Sequence, residues 1–366
     1  VTYAQSDTQI RARCHRFLSY HHPRTSREWL RDLADAPVPS DEPDFYGTGA
    51  CIRALEADFA GLLGKESAVF MPSGTMAQQA ALRVWADTSG RRTVAIHPQA
   101  HIHRDERSAY ERLHGLRGIP LTHEPRYPNA DDLTAVREPV GTLLIELPLR
   151  RLTYALPDWN ELTALAQTAR AAGTRVHLDG ARLWECSPYY ERSPAAIASL
   201  ADSVCVSVYK GLGGLSGAVL AGPEALIAGA RLWQHRHGGQ LHSLFPLVFA
   251  AYAGLQRHLP RVAEYAATAR GLAQALSDVP GLTAIPKVPC INAFQLHFHN
   301  VTPAALQRLH ARQADATGTW LFNWFQESVI PDAAFADVVI GDALDRWSID
   351  GAAQAIRALA AGVTGA

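Results

Sequence analysis

The stretch Val204-Cys-Val-Ser-Val-Tyr-Lys-Gly-Leu-Gly-Gly ends a β-patterned apolar run in one lysine followed by glycines. A lysine at the tip of a buried strand loses hydration, which disfavours its ammonium form and leaves Lys210 an amine able to condense with an aldehyde. Read alone, it is more simply a surface lysine closing a strand. Val176-His-Leu-Asp-Gly-Ala-Arg puts Asp179 at the C-terminal end of a second expected strand, the end at which open α/β sheets bind their ligands. A carboxylate buried there can keep a pyridinium nitrogen protonated, so that the ring accepts electrons from a substrate α-carbon. The plainer alternative is a turn aspartate capping the next helix. Phe70-Met-Pro-Ser-Gly-Thr-Met runs from a strand into a helix starting near Gly74, where backbone N–H groups and the Ser73 and Thr75 hydroxyls could cradle a phosphate, or Ser73 could serve only as an N-cap. Cradle, acid and lysine on three strand tips, in that chain order, point to one ligand centre.

The elements that must position these residues follow from apolar periodicity. Short apolar runs at 68–71, 93–97, 142–147, 175–178, 203–208 and 218–221 alternate with helical stretches at 74–86, 157–172 and 194–200. That alternation predicts a mainly parallel sheet covered by helices on both faces. Ile52, Leu55, Phe59, Leu62 and Leu63 recur at helical spacing before Gly64, which supplies the stop. After about residue 255 longer helical patterns carry sparse strands (292–298, 346–349), which suits a smaller C-terminal α+β domain. The first forty-odd residues, broken by Pro23, Pro37, Pro39 and Pro43, read as an irregular arm. The expected organisation is an N-terminal arm over 1–45, a large domain over 46–255 and a small one over 256–366.

At 366 residues, 48% hydrophobic, the chain can bury a large core and exceeds the comfortable size for a single one. Its 34 basic and 35 acidic residues leave no broad field for nucleic acid or an anionic membrane, so a small molecule is the expected partner. Five scattered cysteines without a C-x-x-C pair argue against a disulfide framework or zinc knuckle. No apolar leader stands in residues 1–16 and no run is long enough to span a bilayer, so a cytoplasmic location is expected. The pairs His101/His103, His235/His237 and His297/His299 have no acidic or cysteine ligands at tight spacing, and no metal is expected.

These motifs resemble the fold-type-I pyridoxal 5'-phosphate (PLP) enzymes, and within them the L-threonine aldolase and β-eliminating lyase family. The matching stretches are Tyr46-Gly47 before a Leu55-Glu56 helix, residues 64–76, 100–102, 177–182 and 210–213. The resemblance implies an α/β fold-type-I, PLP-dependent transferase-like architecture, with a mainly parallel seven-stranded sheet in the large domain, a smaller C-terminal α+β domain, and a homodimer or homotetramer. It implies covalent attachment of PLP to Lys210, with Gly74 and Thr75 at the phosphate, His101 stacked on the ring, Asp179 at its nitrogen and Arg182 by its phenolic oxygen. Ser207 could reach the phosphate from beside the lysine, although Tyr209 stands where the family usually has serine. Ser19 and Arg346 would receive the substrate carboxylate, and Tyr46 would contact the substrate. Where the family carries Glu-Asn-Thr-His-Asn after a strand, this chain has Glu146-Leu-Pro-Leu-Arg150, so the substrate-side histidine is absent.

The reaction these features imply is retro-aldol cleavage of a β-hydroxy-α-amino acid, of threonine or phenylserine type, to glycine and an aldehyde. His101 is the expected base, and His235 and His237 are possible stand-ins. β-Elimination, racemisation or transamination on the same cofactor remain alternatives, as does an idle PLP-fold binding protein. Leu147-Pro148-Leu149 is expected to shape an aldehyde pocket.

Overall fold

In the computed structural model, which describes residues 5–364, the chain forms two compact units. One takes residues 27–260, and the other the residues up to 26 together with those from 261 onward.

The larger unit is built on seven strands: β1 (Ser67–Met71), β2 (Thr93–Ile96), β3 (Arg117–Pro120), β4 (Thr142–Glu146), β5 (Arg175–Asp179), β6 (Ser203–Ser207) and β7 (Ala218–Gly222). Their spatial order is β1-β7-β6-β5-β4-β2-β3. All neighbours are parallel except β7, which runs antiparallel to both β1 and β6. This is the expected α/β sheet, and it gathers the C-terminal ends of β1, β4, β5 and β6 on one edge beside the start of β7. Strand β3 has no counterpart among the apolar runs: its sequence Arg-Gly-Ile-Pro sits at the sheet edge with no buried residue, so burial left no pattern to read.

Helix α1 (Ala50–Leu63) buries Ile52, Leu55, Phe59 and Leu63 and stops at Gly64, whose φ of 60° lies in the left-handed region. Burying each such side chain contributes roughly 1.5–3 kcal/mol. Glu56 of α1 accepts from the Phe70 N–H at 2.9 Å and from both terminal nitrogens of Arg231, which fixes α1 against β1. Helix α2 (Gly74–Ser89) follows β1, with Ala77, Ala80, Ala81 and Val84 packed on Val69, Met71 and Leu220.

In the smaller unit a four-stranded antiparallel sheet takes the order Gln326–Glu327, Ala333–Val339, Ala293–His299, Leu282–Ile285. Helices Val262–Ala275, Pro303–Thr317 and Ile349–Thr364 supply the rest of a core centred on Phe294, Leu296, Phe298 and Ile356. Two expectations differ here. Residues 5–26 are not a loose arm: Gln5–Arg13 is helical, and Arg16–Phe17 pairs in parallel with Thr319–Trp320. The helix has almost no apolar stripe and is held by tertiary bonds, Gln307 to Asp7 and Arg13 to Asp315, that local pattern cannot reveal. A second helix, Ser26–Ala34, follows. The strand expected at 346–349 is a 3-10 turn, Asp342–Arg346, running into a helix whose first turn is capped by Ser348 Oγ on the Gly351 N–H. Among the described residues no helix is long and apolar enough to cross a membrane.

Candidate active site

The shared strand edge carries the chemistry. Strand β5 ends in Asp179, buried, with Oδ1 accepting from the Ala181 N–H at 3.2 Å. Its register partner on β4 is Glu146, whose carboxylate accepts from the His101 N–H at 2.6 Å and the Arg150 N–H at 3.2 Å. Burial, and then the neighbouring Asp179 charge, push the Glu146 carboxyl up to about 7 against the pull of those two donors. Tyr127 donates its hydroxyl to the Glu146 carbonyl and so ties down the strand end.

Beyond β6 the chain turns through Val208 and Tyr209 to Lys210, closed by Gly213 N–H to the Lys210 carbonyl and Gly214 N–H to the Val208 carbonyl, each 2.9 Å. Burial, reinforced by the Arg182 cation, lowers the Lys210 pKa, with Asp179 and Glu146 opposing. The sequence-level argument for a reactive amine therefore has its physical counterpart. A Cβ at Gly211 would run into the Glu185 carboxylate, so any larger residue directly after the lysine would have to displace that side chain.

At the start of α2, Ser73 is the N-cap: its Oγ accepts from the Met76 N–H at 3.2 Å. Gly74 and Thr75 follow at the first two helical positions, where N–H groups lack an i−4 partner and can face an anion. His101 opens the short helix His101–Arg104. Its Nδ1 lies 3.3 Å from Glu106 Oε1, and Glu106 Oε2 accepts from Gln79 Nε2 at 3.0 Å. Burial pulls the His101 pKa down, but Glu106 and Asp179 outweigh it and Lys210, and the net shift is upward.

One cavity of about 140 Å³ joins Ser73, Gly74, Thr75, His101, Asp179, Ser207 and Lys210. Arg182 does not line it but interacts with Lys210 from the next helix start and sits 5.4 Å above the Tyr154 ring. Tyr46 also lies outside the cavity, half-exposed against His242 and Phe45. Ser19 and Arg346 belong to the other unit, where Arg16 donates to the Arg346 carbonyl. The proposed stand-in bases are elsewhere: His235 pairs with Gln240, and His237 packs on His114 and Trp233. Leu147 and Leu149 are each 1% exposed, with Leu149 in the core beside Ile102 and Leu144, so this stretch does not wall the cavity. The other paired histidines bond to protein groups, His103 to Tyr110, His297 to Ser328 and His299 to Thr283.

The cavity wall also includes Tyr209, the departure noted beside the lysine, and Gln78, Glu106, Cys205 and Ser216, which the sequence pattern did not single out. Glu106 sits in Arg104-Asp105-Glu106-Arg107, a charge run that reads as solvated surface. Glu146 had a usable signal: it ends the apolar run Thr-Leu-Leu-Ile as Asp179 ends its own.

Residues 26–300 match the family model for β-eliminating lyases. The chain belongs to this family. Among the lyase relatives, low-specificity L-threonine aldolase 1 of Arabidopsis thaliana is 29% identical over 255 residues, 66% of this chain and 70% of that one. A solved structure from Listeria monocytogenes, proposed to be an L-allo-threonine aldolase, is 35% identical with a TM-score of 0.90, covering 98% of this chain and 99% of that one. Another, from Exiguobacterium sp. 255-15, proposed to be an aromatic amino acid β-eliminating lyase or threonine aldolase, is 35% identical with a TM-score of 0.89, covering 99% of each. The chain is accordingly a PLP-dependent lyase. Its donor set fits that cofactor: an amine of lowered pKa, a buried carboxylate opposite it and a helix start with two uncommitted N–H positions share one cavity.

Proposed function

We propose that the protein cleaves β-hydroxy-α-amino acids to glycine and an aldehyde in the cavity between Lys210, Asp179 and the start of α2. The observation that carries this reading is the convergence of those groups with His101 on one strand edge. Lys210 is the residue that would hold PLP covalently, Ser73, Gly74, Thr75 and Ser207 would surround its phosphate, and Asp179 would pair with its ring nitrogen. When bound, PLP takes up the electron pair released at the substrate α-carbon.

The chain's own part is proton handling and placement. His101 Nε2 takes the proton of the substrate β-hydroxyl, the O–H pair becomes the aldehyde C=O, and the Cα–Cβ bond breaks. A proton returned to Cα completes glycine. Lys210, which lines the same cavity, is the amine assigned to that return, and the Glu146 carboxylate keeps His101 in place through its backbone N–H. Ser19, Arg346 and Tyr46 are the proposed substrate contacts; an arginine suits a carboxylate because two parallel N–H bonds form.

Tyr209, 41% exposed at the cavity where the family usually has serine, favours a flat aryl side chain over a methyl group. Aromatic β-hydroxy-α-amino acids are therefore the proposed preferred substrates. Product analysis with phenylserine and threonine tests this: glycine and benzaldehyde, formed faster than glycine and acetaldehyde, is the expected result. α-Keto acid and ammonia from both would move the activity to β-elimination, and inertness toward both would remove it. A homodimer or homotetramer in the cytoplasm is the assembly and location we propose.

A further inference from the structure

The chain lacks the histidine that the resembled family carries after β4, and the geometry points to a replacement made from local parts. We propose that Glu106, anchored by Gln79, is a positioning residue that orients the His101 ring and fixes its tautomer, so that His101 alone performs the proton transfer. The proposal rests on the aldolase reading and names the residue on which that reading depends.

Four observations carry it. The Glu106 side chain is 3% exposed and reaches His101 Nδ1 with Oε1 at 3.3 Å. Its other oxygen is occupied by Gln79 Nε2 at 3.0 Å, from a residue 2% exposed on α2, so the carboxylate has little freedom to leave the imidazole. The turn folds Glu106 back: Asp105 and Glu106 both donate their N–H to the His101 carbonyl, at 2.8 and 3.2 Å, and Arg107 and Ser108 follow with φ of 55° and 54°. Two successive non-glycine residues in the left-handed region are a costly turn, retained where the surroundings over-determine it. Last, His101 is fixed from its backbone by Glu146 at 2.6 Å, so ring and main chain are each held by a separate buried carboxylate.

A carboxylate on Nδ1 keeps the proton there and leaves Nε2 as the acceptor. In the transfer step the substrate hydroxyl proton moves to Nε2, the Nδ1 proton stays shared with Glu106, and the positive charge on the ring is balanced by Glu106. The charged groups around His101 are Glu106, Asp105, Asp179 and Glu146 on the acidic side and Lys210 on the basic side. Removing Glu106 therefore leaves the imidazolium less stabilised.

The test uses the PLP-loaded full chain as wild type, E106Q and E106D, with ¹⁵N-histidine NMR of the same proteins and H101N for assignment. In wild type the His101 signal should show the Nδ1–H tautomer and titrate above the ordinary histidine value. In E106Q the tautomers should mix and the midpoint should fall, while kcat for phenylserine cleavage drops about 10- to 100-fold and its acid limb moves to lower pH. E106D should recover part of both at unchanged cofactor content. Wild-type tautomer and acid limb in E106Q would overturn the proposal, and so would an activity loss in E106Q and E106D alike with His101 NMR unchanged. A wild-type protein that releases no glycine would defeat the aldolase reading instead, while the NMR would still decide whether Glu106 holds His101.

Discussion

At the scale of single residues, the groups with the most demanding chemistry were the easiest to read. Lys210 and Asp179 each end an apolar run in a charge, a local conflict that a core strand tolerates only for a reason. The structure supplies an environment to match: burial lowers the Lys210 pKa and Asp179 stands buried in the same cavity. Borohydride reduction of the PLP-loaded protein, followed by peptide mapping, should label Lys210, and K210A should give no label; a tag on another lysine would refute the assignment. Glu106 was not legible, because its burial comes from a backbone turn and from Gln79 on another helix, and neither leaves a mark in Arg-Asp-Glu-Arg. Leu149 was misread for the converse reason. An apolar residue near a site looks the same in sequence whether it faces the ligand or, as here, the core.

Elements were legible where they are buried, the edge strand β1 included, and illegible where they are exposed. Helix α1 and strands β4 to β7 announce themselves by period, whereas β3, exposed at the rim, and the helix Gln5–Arg13, held by long-range bonds, do not. Beneath α2 lies a polar relay that periodicity would have filled with hydrocarbon. His177 on β5 bonds Gln78 Oε1 through Nε2 at 2.7 Å and Ser203 Oγ through Nδ1 at 2.8 Å, and Trp85 donates to the same hydroxyl at 2.8 Å. Burial holds His177 at about 4, below its ordinary 6.5, so the folded state keeps it neutral where an unfolded chain would protonate it. The unfolded state thus binds more protons between those values, and stability present above pH 6.5 is lost as pH falls toward 4. His177 contributes on the order of 3 kcal/mol to that loss. Urea unfolding of wild type and H177Q across this window should show a shallower acid slope in the variant, by about one proton; equal slopes would place the acid sensitivity elsewhere.

At the scale of the molecule, the sequence conveyed the mainly parallel sheet and the change of texture near residue 255, but not that residues up to 26 join the C-terminal segment, since two-residue strands such as Arg16–Phe17 carry no period. Phe45 and Tyr46, 61% and 49% exposed and stacked edge-on with His242, form an apolar cluster of the kind that subunit contact covers. Sedimentation should show a dimer or tetramer that F45S/Y46S weakens, and a fully active monomer would contradict this. The antiparallel β7 has a consequence in time as well as in space. Ser67 pairs with Gly222 and Met71 with Ala218, so the cradle strand enters the sheet only after the chain has run out through five other strands and come back. Contacts so distant in sequence close slowly. Growth of the cofactor's visible absorbance during refolding should therefore lag the recovery of helical signal, making cofactor capture a clock for the last strand to dock.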